Sequence, residues 1–92
     1  MFLKTEHGAR PIVSITDLVQ GVSSSTYFAL HDITGTFVVC KTKEGKEGTG
    51  IKATLLDNTG VALAACNIIG AASSLRGAQR VATQYDELEK LS

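Results

Sequence analysis

The chain has 92 residues, 43% of them apolar and 20% charged, with nine Lys and Arg set against nine Asp and Glu. That length holds one domain with a modest core, and the composition excludes a disordered chain, which would be poorer in apolar residues and carry a large net charge. A net charge of zero also works against tight nucleic-acid binding, because affinity for phosphates comes mainly from counterions displaced by Lys and Arg.

The opening MFLKTEHGARP carries charges every few residues and has no apolar run of secretory-leader length. The longest apolar stretch, VALAACNIIGAA, is far shorter than the roughly 20 residues that span a bilayer, so a cytoplasmic protein without a membrane helix is expected. In RPIVSITDLVQG, Ser14 is placed as an N-cap, Asp17 as its capping-box partner and Gly21 as a left-handed stop, which predicts a short helix over 15–20. Ser23 or Ser24 then caps a second helix through about Asp32, with Tyr27, Leu30 and Ile33 as its buried stripe. That leaves Ser24, Ser25 and Phe28 facing outward, and His31 near the helix end.

From Gly35 the period changes. Phe37, Val39 and Lys41 alternate with Val38 and Cys40, and Ile51, Ala53 and Leu55 alternate with Lys52 and Thr54, which predicts two strands paired as a hairpin over 36–56. Its glycine-rich tip is charged: Lys41, Lys43, Lys46 and Lys52 outweigh Glu44 and Glu47 by two charges, enough to grip a phosphate backbone.

A C-terminal helix is expected over 60–91, because Val61, Ala64, Ile68, Ala71, Leu75, Ala78, Ala82 and Tyr85 step by three and four. Ile68, Ala71, Leu75, Ala78, Ala82 and Tyr85 would form the seam of a homodimer, and Gly70 and Gly77 imply close backbone approach. The alternative is that GAASSLRG breaks the element into two helices, with Ser73 or Ser74 as a new N-cap. YDELEK reads as a solvated helix end. No internal repeat is evident.

Cys40 and Cys66 have apolar neighbours and no Cys-x-x-Cys partner, so they read as buried thiols, with no metal site, cofactor motif or catalytic constellation expected. An enzyme is the least supported class, since a Ser-rich helix start is ordinarily a cap.

The order helix, turn, helix, hairpin, long helix is that of a winged helix-turn-helix, and GVSSSTYFAL resembles the turn and recognition helix of that family. VSITDLV, LHDI and LLDNTGVALAACNIIGAASS together resemble the Rha-type phage regulatory proteins and antirepressors. These resemblances imply an α+β winged helix-turn-helix domain over the whole chain (helix-turn-helix 14–33, wing 36–56, C-terminal helix 60–91). Its implied function is that of a small DNA-binding transcriptional regulator, encoded by a phage or mobile element, with double-stranded DNA as partner. Ser24, Ser25, Phe28, His31, Lys41, Lys43, Lys46 and Lys52 are then the binding residues. The neutral charge supports an alternative, a protein-binding antirepressor or inhibitor that uses Phe28 as an aromatic anchor on a regulatory protein.

Overall fold

β-Branched side chains crowd the stretch expected to start the first helix: Ile12, Val13, Ile15, Thr16 and Val19 lose rotamer freedom in a helix and suit a pleated strand. In the computed structural model, which describes residues 1–20, 26–42 and 50–90, this stretch is extended. The described elements are β1 (Phe2–Thr5), β2 (Gly8–Gln20), β3 (Thr26–Asp32), β4 (Phe37–Thr42), β5 (Ile51–Leu56), β6 (Ala62–Ala72) and α1 (Leu75–Lys90).

The strands close into an antiparallel barrel in the order β1-β2-β3-β4-β6-β5. The first four form a meander, and β5 returns beside β1 in the manner of a Greek key, leaving β6 between β4 and β5. β2 serves two partners in succession: Gly8–Pro11 pair with β1, and beyond a register shift after Ile12 the strand continues along β3. Leu3, Ile12, Phe28, Leu30, Val38, Cys40, Ala53, Leu55 and Cys66 fill the interior. Burying a Leu, Val or Phe of this kind contributes about 1.5–3 kcal/mol each, so the inside of the barrel is the principal core.

The winged helix-turn-helix expectation is therefore overturned. Residues 14–20 and 26–32 are strands, and residues 21–25, with Gly21, Val22, Ser23, Ser24 and Ser25, lie outside the described residues. The two expected hairpin strands exist as β4 and β5 but do not pair with each other, because β6 is inserted between them. The expected helix over 60–91 divides. Ala62–Ala72 is strand β6, held on both edges, and only Leu75–Lys90 is helical. A central strand reads as a nearly continuous apolar run, and such a run has no period to distinguish it from a buried helix.

The break at GAASSLRG falls where the alternative put it, but only the piece after it is a helix, and the piece before it is β6 rather than a first helix. The Ser74 hydroxyl accepts the Gly77 N–H at 3.1 Å and so caps α1. Ala78, Val81, Ala82 and Tyr85, one helical stripe, lie on the outer surface of the barrel with Tyr27, Ala29 and Val39. The approach is close: a Cβ at Gly70 would stand 2.8 Å from Val81 Cγ1.

Two of the connecting turns are near copies. Leu30–Gly35 and Leu55–Gly60 both read L-x-D-x-T-G, a repeat that the sequence reading missed. Asp32 Oδ1 accepts the Thr34 N–H (2.9 Å), the Thr34 hydroxyl (2.6 Å) and the Thr36 N–H (3.0 Å). Asp57 Oδ1 accepts the Thr59 N–H (2.8 Å), the Thr59 hydroxyl (2.7 Å) and the Val61 N–H (2.9 Å). Gly35 and Gly60 both have φ of 89°, the left-handed region that glycine enters most cheaply.

Candidate functional site: the outer face of β1, β5 and β6

A barrel whose interior is packed with side chains leaves its outer surface and loops for binding. One outer face is already covered. Beneath the C-terminal part of α1, the Tyr27 hydroxyl donates to Asp86 Oδ1 at 3.2 Å, and the Tyr27 and Tyr85 rings meet edge to face at 6.4 Å. Lys41 Nζ lies 5.4 Å from the Tyr85 ring centroid, in cation–π range. Asn67, opposite Lys41 on β4 and Lys52 on β5, is fully buried, and neither of its amide atoms has a hydrogen-bond partner among the described residues. This cluster fastens the helix to the sheet.

The face formed by β1, β5 and the start of β6 is open. Leu3, Ala53 and Leu55 point into the core, so strand alternation turns Phe2, Lys4, Lys52, Thr54 and Leu56 outward. Cross-strand register sorts them into rows, because residues directly opposite share a face. Pro11, Phe2, Leu56 and Ala62 make an apolar row, and Ala9, Lys4, Thr54 and Ala65 make the next. Lys52, two residues before Thr54 on β5 and opposite Asn67, belongs to the next row toward the other end of the barrel.

Pairing of β1 with β5 stops at Lys4 opposite Thr54, and beyond it a groove of about 470 Å³ opens. Lys4, Thr5, Glu6, Lys52, Ala53, Thr54, Ala65 and Cys66 line it. Among the described residues two ammonium groups face one carboxylate there, and Glu6 is also within 3.4 Å of His7 Nε2 at the exposed hairpin end. Phe2 is 37% exposed, the only aromatic ring among the described large apolar residues that stands this far into solvent.

Of the described binding residues expected from sequence, Lys52 alone lines this groove. Phe28, expected outside, is buried in the barrel core, because its strand alternates and Tyr27 takes the helix-facing side. His31 is half-buried and stacks on Phe37, its partner across the strands, with ring centroids 4.3 Å apart. Lys41 is buried under α1 rather than at a wing tip. Ser24, Ser25, Lys43 and Lys46 lie outside the described residues.

The expected dimer seam is dispersed. Ile68 packs against the barrel core, Ala71 is an exposed strand residue and Leu75 is exposed at the helix start. Ala78, Ala82 and Tyr85 are spent on the chain's own barrel, so the close approach foreshadowed by Gly70 and Gly77 is made within one chain. Asp86, read as part of a solvated end, is buried. Phe2 and Lys4 escaped the sequence reading because they precede every element it recognised. Their alternation with Leu3 was the available signal.

Cys40 and Cys66 are both free and buried, as their apolar neighbours implied. Among the described residues no three His, Cys, Asp or Glu side chains cluster closely enough to hold a metal ion. None of the described helices is long and apolar enough to cross a membrane. No family model, curated protein or solved structure matches the chain.

Proposed function

We propose that the chain is a single-stranded nucleic-acid-binding module that uses the outer face of β1 and β5. The observation that carries this reading is the grouping of an exposed ring, Phe2, with two outward lysines, Lys4 and Lys52, on paired strands beside an open groove. Single strands are held by stacking bases on aromatic side chains while cations follow the backbone, and neither interaction needs a recognition helix. Phe2 stacks a base, Lys4 and Lys52 contact successive phosphates, and the Thr54 hydroxyl offers a further donor. Small Greek-key barrels bind oligonucleotides on such surfaces, an analogy of architecture that supports the reading without implying descent.

The neutral charge of the chain sets the expected strength. Two phosphate contacts on a single strand give a slope of about −1.4 in a plot of log K against log salt, so binding is weak and only moderately salt-dependent. Fluorescence anisotropy with a labelled oligothymidylate tests this. Phe2→Ala weakens binding roughly ten-fold, the lower part of the range for one stacked base. Lys4→Glu with Lys52→Glu abolishes it. Equal affinity for a blunt duplex, or binding indifferent to all three changes, rejects the proposal.

A second reading, a regulator directed at a protein, has one observation in its favour. Val61 and Leu63, 59% and 53% exposed, flank Ala62 at the start of β6, and exposed apolar side chains set together mark partner surfaces. Leu63→Asp then abolishes partner capture and leaves oligonucleotide binding unchanged.

A further inference from the structure

Cys40 and Cys66 sit inside the barrel on neighbouring strands, where Thr42 is opposite Cys66 and Cys40 is opposite Ile68. The two are thus diagonal neighbours on one face of a sheet, in the same interior cluster. Cys66 also lines the groove, while Cys40, fully buried, lies behind it in the core. Both are buried, and of the two Cys66, 2% exposed, is the one that the groove reaches. Each thiol acts on the other: the neighbouring Cys40 thiol lowers the Cys66 thiol from its ordinary value, while Cys66, together with burial, pushes Cys40 up. This division suits attack by Cys66, because the thiolate is the nucleophile in exchange.

We infer that Cys66 and Cys40 form a dithiol that exchanges with a small anionic disulfide entering the groove, with Cys66 as the attacking sulfur and Cys40 as the resolving one. Lys4 and Lys52, which line the same groove, hold the carboxylates of the incoming molecule. In the first step the Cys66 thiolate attacks one sulfur of the disulfide, a new S–S bond forms and a thiolate leaves. In the second, Cys40 gives its proton to that leaving thiolate and attacks Cys66, closing the Cys40–Cys66 disulfide and expelling a second thiolate, which takes the proton released when Cys66 ionised. Two protein thiols are oxidised and one small disulfide is reduced to two thiols. The inference is independent of nucleic-acid binding, although it uses the same groove.

The test follows reduced native protein with glutathione disulfide, quenching samples with acid and reading mass and alkylation sites. The expected course is a transient glutathione adduct on Cys66, then an intact chain lighter by two hydrogens with both cysteines resistant to alkylation. In Lys52→Glu, the ratio of the rate with glutathione disulfide to that with neutral hydroxyethyl disulfide falls roughly ten-fold, as expected when charge steering is lost. The order of events in the unmodified protein assigns the roles without any cysteine variant. An adduct that stays on Cys66, a first adduct on Cys40, or reaction only at urea concentrations that unfold the barrel overturns the dithiol. A rate ratio that Lys52→Glu leaves unchanged overturns the anionic substrate. Loss of oligonucleotide binding has no bearing on either readout, because both are read from protein mass.

Discussion

The turns at 32–36 and 57–61 share a sequence pattern, a glycine conformation and a set of hydrogen bonds, yet they sit in different surroundings. Asp32 is buried at the end of the barrel, and its second carboxylate oxygen lies 3.4 Å from Arg10 Nη1 on β2. Asp57 stands at the surface with no such cation among the described residues, beside Asn58, whose Oδ1 receives the N-terminal ammonium at 2.6 Å. The Thr34 hydroxyl is the main influence holding the Asp32 carboxyl below its usual range, helped by the Thr36 and Thr34 amides and by Arg10 against the opposing effect of burial. The Thr59 hydroxyl does the same for Asp57, with the Val61, Thr59 and Gly60 amides. The lesson is that a local motif can fix the conformation of a turn completely while its contribution to stability is set by what lies around it.

The largest expected effect is that of Asp32→Ala. It removes three hydrogen bonds to an ionised group in a buried place and costs about 3 kcal/mol, read as a lower urea midpoint. Asp57→Ala gives a smaller loss, and equal losses would break the contrast between the two turns. Acid probes both aspartates. A lowered carboxyl contributes stability that is fully present above the unfolded value of about 3.9 and is lost as pH falls through the folded value. Asp32→Asn and Asp57→Asn therefore each flatten the acid limb of the stability profile.

Gly35→Ala and Gly60→Ala sharpen the comparison from the other side. Neither glycine has any atom within 4 Å of the Cβ that would be added, so both substitutions meet only backbone strain, about 1 kcal/mol each. Their urea midpoints should shift equally, whatever the aspartates do. The smallest effect belongs to Arg10→Ala. Its side chain is half-exposed and its ion pair screened, so the loss stays under about 1 kcal/mol and shrinks further in high salt.

These turns were legible in the sequence and were passed over, because a six-residue echo is short beside the periods that announce helices. The alternation of Phe37–Lys41 and Ile51–Leu55 was read correctly as strand, since each places Val38, Cys40, Ala53 and Leu55 on one face. Their partners could not be read. Whether β4 pairs with β5 or with β6 depends on a segment further along the chain, and VALAACNIIGAA lacks the alternation that would have marked it as a strand. Alanine, the best helix former, dominates that segment, and its neighbours β4 and β5 override the preference. The site suffered a related loss. Lys52 was singled out for its charge, but Lys4 and Phe2 become its companions only when β1 is laid along β5.

The position of β6 also governs when this molecule can acquire its shape. Because the strand that joins β4 to β5 is the last of the six, a ribosome must deliver the chain through Ala72 before the ring has all its members. Until then the growing polypeptide exposes two edges that are complete in hydrogen-bond donors and acceptors and wait for the same insert. Long-range pairing of this sort makes for slow closure, so nascent chains stalled between Gly60 and Ala72 would be the forms most exposed to proteases and to one another.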